Sequence, residues 1–158
     1  MNSLFAKRKR SMPRRGAATV ETALVLPICL LFLFGILEYG RYIMVLQVTT
    51  NAAREGAHYA LAHTQPVTIQ GVTRGNATAD VVNITTAAMS GLSLSGQTIE
   101  VYSSDSQGNN VGVWTDTPAG GWICVRITGN FPVVIPRLLL LANTIPVEAR
   151  SVMRSESN

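Results

Sequence analysis

RRGAATVETALVLPICLLFLFGILEYGR, residues 14–41, decides how the rest of the chain is read. Residues 17–37 contain one charged side chain, Glu21, among Leu24, Val25, Leu26, Ile28, Leu30, Leu31, Phe32, Leu33, Phe34, Ile36 and Leu37. As a helix rising about 1.5 Å per residue they extend about 31 Å, the thickness of a bilayer's hydrocarbon core. The 158 residues have room for one modest domain, and 47% apolar against 14% charged residues is the skew that a membrane segment produces.

Charge is distributed unevenly around this run. Lys7, Arg8, Lys9, Arg10, Arg14 and Arg15 precede it with no acid among them. The positive-inside rule therefore predicts a cytoplasmic leader, residues 1–16, and an extracytoplasmic remainder. Without those six cations the formal charge of +4 would become −2, so the basic balance belongs to the leader. The other arginines are scattered among nine acids, which argues against a nucleic-acid partner. A secretory signal has a shorter apolar core and a small-residue cleavage site. Here the run passes into Glu38, Tyr39, Gly40 and Arg41 with no such site, which predicts an uncleaved anchor or cleavage ahead of the run.

Glu21 is the anomaly. A carboxylate at membrane depth is costly and marks a functional position with a partner to be named. It also lies only four residues inside the apolar start, where an acid can snorkel to the interface or take up a proton. The residue alone leaves both readings open.

Gly16 closes the basic leader, Ala17 opens the apolar run, and Glu21 is fifth after Gly16. This order resembles the class III signal of type IV pilins and pseudopilins. With L-P, F-G, E-Y-G-R and A-A-R-E-G-A following in sequence, residues 15–60 resemble the TadE-like family, minor pseudopilins of the tight-adherence (Tad) pilus system. The resemblance implies that a prepilin peptidase cuts between Gly16 and Ala17. It further implies that the freed Ala17 amine meets Glu21 of a neighbouring subunit, so that two buried charges answer each other. The implied partners are other pilins or pseudopilins, Tad membrane assembly proteins, the peptidase and the lipid bilayer, at the bacterial inner membrane. Thr22 stands where processed Tad pilins carry tyrosine, and His58 where arginine is expected. The alternative is an uncleaved single-pass protein presenting an extracytoplasmic binding head.

Beyond the membrane the helix is expected to continue to about residue 62. Val45, Val48, Ala52, Ala53, Ala57 and Ala60 or Leu61 recur at helical spacing, and Gln47, Asn51, Glu55 and His58 form a polar stripe. Pro27 should kink or loosen the membrane half, and Gln65-Pro66 marks the end. The expected fold is α+β: a pilin-like helix, membrane-spanning over 17–37 and amphipathic over 38–64, carrying a small antiparallel sheet head over 65–158. Within the head the pattern predicts a helix at 76–90 and strands at 98–102, 122–128 and 145–153, with Val125 and Ile127 on one face and Cys124 and Arg126 on the other. Residues 103–121 read as a loop, variable decoration with a short strand at 111–114. The second apolar stretch, FPVVIPRLLLLANTIPV at 131–147, is broken by prolines and reads as core packing.

Catalytic chemistry is not suggested. The last lysine is Lys9, so the extracytoplasmic part supplies neither a Walker A nor a Schiff-base lysine. Glu55 and His58 lack further metal ligands, and His58 and His63 are five apart rather than four. No enzyme activity, metal or cofactor is expected. Cys29 lies in the apolar run and Cys124 in a strand outside, which argues against a disulfide between them.

Overall fold

A computed structural model describes residues 15–64, 67–69, 72–74, 77–134, 136 and 142–155. The leader up to residue 14, Gln65, Pro66, Asn76 and residues 137–141 of the second apolar stretch lie outside the described residues. The chain is an α+β fold built on one long helix, α1, at Arg15–Ala62. Its 48 residues rise about 72 Å. The helix assignment runs through Pro27 without a break; the ring removes one N–H, and the turns on either side keep the helix going.

The helix has two halves with different surroundings. From Val20 to Leu37 most large apolar side chains are exposed, and the most hydrophobic window is not buried against the protein at all. From Val45 to Ala60 one face is fully covered, with Val45, Thr49, Ala52, Ala53, Gly56, Ala57 and Ala60 inside, while Gln47, Asn51, Glu55 and His58 stay out. The buried Thr49 satisfies its hydroxyl locally by donating to the Val45 carbonyl at 2.8 Å. The last turn closes as His63 Nδ1 donates to the Tyr59 carbonyl at 2.8 Å, its ring stacked on Tyr59.

A two-stranded antiparallel hairpin follows, β1 at Val67–Ile69 and β2 at Val72–Arg74. Next comes α2 at Thr78–Ala88, inside the expected 76–90. It stops where Ser90 and Gly91 take positive φ values of 53° and 79°, the left-handed exit that glycine favours. α2 crosses α1 at Gly56. A side chain there would collide with Thr85, whose own hydroxyl donates to the Val81 carbonyl at 2.7 Å.

The main sheet contains β3 at Ser95–Ser104, β4 at Asn110–Gly112, β5 at Trp122–Pro132 and β6 at Thr144–Arg154, antiparallel in the order β4-β3-β5-β6. β3, β5 and β6 are longer than the alternating runs in sequence suggested. Pairing carries β5 on through Gly129 and Pro132 opposite Val147 and Thr144, positions with no strand signal of their own. On the inner face Ile123, Val125, Ile127 and Phe131 alternate and meet α1, as a period of two requires. Cys124 is on the opposite face with Arg126, yet it is buried as well, because Tyr102 and the turn after β3 cover it.

The core has two ends. Near the membrane half Val45, Ala52 and Ala53 pack with Met89, Leu94, Ile127, Phe131, Val133 and Val147. At the far end Ala57 and Ala60 pack with Val81, Trp114, Ile123 and Val125. Phe131, Val133 and Val147 thus bear out the core reading for both flanks of the second apolar stretch; that reading of residues 137–141 falls outside the described residues.

The segment read as loose decoration is pinned in place. The strand expected at 111–114 is instead β4 followed by a 3-10 turn, Trp114–Asp116. Trp114 is 1% exposed, and its indole N–H donates to Thr78 Oγ1 at 3.0 Å, fastening the excursion to α2.

Candidate functional site

The bare half of α1 carries the three residues singled out in the sequence. Gly16 lies in the first turn with open space around it, Ala17 follows exposed, and Glu21 lies one turn further on, also exposed. Ala17 and Glu21 are four apart and so share one face of the helix. Among the described residues, none of the head is brought to Glu21; the surface around it is Val20, Leu24 and Val25, all exposed.

Where the bare half ends, a polar collar begins. Glu38 follows Leu37 and is 8% exposed. Its carboxylate accepts from Arg41 Nη1, 3.0 Å from each oxygen, and from the backbone N–H of Val134 at 3.2 Å. The Arg41 guanidinium lies 5.0 Å over the Phe131 ring, and Tyr42 meets the same ring at a 59° tilt with the centroids 5.9 Å apart. One acid therefore ties the helix to the β5–β6 connection at the lower end of the sheet. Sequence reasoning did not assign Glu38 this role. An acid and a base three apart at the end of an apolar run gave half the signal, and the partner amide was 96 residues away.

The motif A-A-R-E-G-A resolves by face. Ala52, Ala53, Gly56 and Ala57 are buried under α2 and the sheet, while Arg54, Glu55 and His58 point outward. The small residues allow close approach, and the charged ones keep the free face in water.

On the outer face of the sheet Arg126 donates to Glu148 at 3.0 Å and lies 3.9 Å from Glu100. Beside them Tyr102 donates to the Gly108 carbonyl at 3.2 Å. Burial, reinforced by the neighbouring Cys124 thiol, pushes the phenol up to about 12, and burial pushes the thiol up too. Asp105 holds the turn by accepting from the Asn109 side chain and from the Asn109 and Gln107 amides, and these bonds lower its carboxyl. Among the described residues no three His, Cys, Asp or Glu side chains gather to hold a metal, and both cysteines are free.

Residues 16–58 match the family model described as TadE-like protein. The match starts at Gly16 and stops inside α1, so it takes in the bare half, Glu38, Arg41 and the Gly56 crossing, and none of the sheet. No curated protein and no solved structure matches the chain.

Proposed function

We propose that the chain is a pilus assembly component of the Tad type, a pseudopilin inserted in the bacterial inner membrane with its N-terminus cytoplasmic and its head outside. The observation that carries this reading is the division of one continuous helix. Its N-terminal half is apolar and free of protein contact, and the small-residue face of its C-terminal half is filled by the head. A helix of that kind has its membrane half available to pack against the equivalent helices of other pilins or pseudopilins and of Tad membrane assembly proteins.

In this reading a prepilin peptidase cuts after Gly16, and Glu21 then takes the Ala17 amine of an adjacent subunit. An isolated carboxylate at membrane depth gains most from a fixed cation. The chain works by assembly rather than catalysis, and any ATP-driven step belongs to a partner.

N-terminal sequencing of the membrane-purified protein, with and without the prepilin peptidase, tests the route. A peptidase-dependent start at Ala17 is expected, together with loss of pili but not of membrane insertion in Glu21→Ala. A start at Met1 under both conditions would replace the pseudopilin with an uncleaved anchor that presents its head.

A further inference from the structure

Depth along α1 is marked by its own residues. The apolar run ends at Leu37, Tyr39 is exposed, and the Arg41 side chain is part exposed. An aromatic ring and a cation at this point are the usual occupants of the headgroup level. Because α1 continues unbroken into the head, no linker lifts the head away from that level.

Val134 is held at the same height. Its N–H donates to Glu38 Oε1, which places it between the last apolar residue of the run and Tyr39. Its neighbour Val133 and the nearby Phe131 are buried, but Val134 is 66% exposed. At the headgroup boundary the apolar medium within reach of such a side chain is the acyl region that already surrounds Leu33, Ile36 and Leu37.

We propose that the underside of the head, at Val134, is a second lipid contact: the valine enters the headgroup–acyl boundary beside α1, so the head rests on the leaflet it faces. This rests on the reading that the bare half of α1 lies in a bilayer, and the test separates the two. The full chain is reconstituted in phosphatidylcholine vesicles with and without bromine on the acyl chains, and tryptophan quenching is compared for Val134→Trp, Phe32→Trp and Val113→Trp. Phe32 lies mid-run, and Val113 is exposed beside β4 at the opposite end of the sheet. The native Trp114 and Trp122 are also at that far end and give a low background.

Val134→Trp should lose at least about twofold more of its added fluorescence than Val113→Trp, as expected for a side chain within the interface. Quenching of Phe32→Trp without quenching of Val134→Trp would overturn the proposal and leave the membrane helix intact. A blue-shifted but unquenched Val134→Trp would assign the position to a protein partner, such as a second copy, and would overturn it as well. If Phe32→Trp also escapes quenching, the helix is not in the bilayer and both readings fall.

Discussion

Three residues show how differently side-chain roles can be read. Glu38 is tied to a segment far away in sequence, and no local pattern announces an amide as a carboxylate's partner. Replacing it with alanine removes the tie to the Val134 N–H, a net loss of about 0.5–1.5 kcal/mol because that exposed residue can turn its amide to water, whereas the exposed side of the Arg41 pair adds little. Glu38→Ala should therefore lower the melting temperature of the detergent-solubilised chain, followed by Trp fluorescence, and Glu38→Gln should lower it less because an acceptor remains. Gly56 was silent in sequence because glycine carries no hydropathy; only its fit against Thr85 reveals it. Gly56→Ala gains about 1 kcal/mol of helix propensity but overpacks the crossing by about 1–3 kcal/mol. The expected outcome is a net loss that Thr85→Ala partly restores, measured as a double-mutant cycle of denaturant midpoints. Tyr102 titrates late because its phenol is buried. Its folded value, about 12, lies above the ordinary phenol value of 10.0, so the neutral hydroxyl supports the fold fully below pH 10 and loses that support as pH rises towards 12. The native chain should lose melting temperature across that window, and Tyr102→Phe, which has no proton to lose, should lose less.

At the scale of elements, legibility followed periodicity. The second half of α1 declared itself through its stripe, and the polar positions Gln47, Asn51, Glu55 and His58 are exposed as that stripe requires. Thr49 escaped because a hydroxyl that bonds its own helix is polar in composition and apolar in behaviour. α2 was readable from its apolar spacing and its glycine stop. β1 and β2, three residues each, are too short for any period to show, and the reading of β4 missed the 3-10 turn because Trp114 is placed by a tertiary partner on α2. β5 and β6 overran their expected ends because the ladder between them supplies hydrogen bonds that local preference does not.

For the whole molecule the class, a long helix and a small antiparallel sheet, followed from one stretch of sequence, since a helix apolar all round and then apolar on one side needs a head to cover that side. The strand order was not legible, because the short edge strand β4 adds outside β3 and lets β5 pair next to it. Both ends of the core draw residues from α1, Val45, Ala52 and Ala53 at one end and Ala57 and Ala60 at the other. A fragment beginning at residue 42 should therefore be soluble and cooperatively folded, whereas one beginning at residue 65 should aggregate, as size-exclusion chromatography and near-ultraviolet circular dichroism would report. The candidate site divides along the same line: Gly16, Ala17 and Glu21 could be named from sequence, and the collar at Glu38 required the folded head.

The unbroken α1 has a mechanical consequence. With sheet and α2 clasped to its upper half and Glu38 gripping the lower edge of the head, helix and head form a single strut with no slack between them. Axial thrust or torque applied to the bare end by a neighbouring subunit or a membrane motor would be passed to the head through the helix itself, with Pro27 in the bare half as the point where the strut yields first.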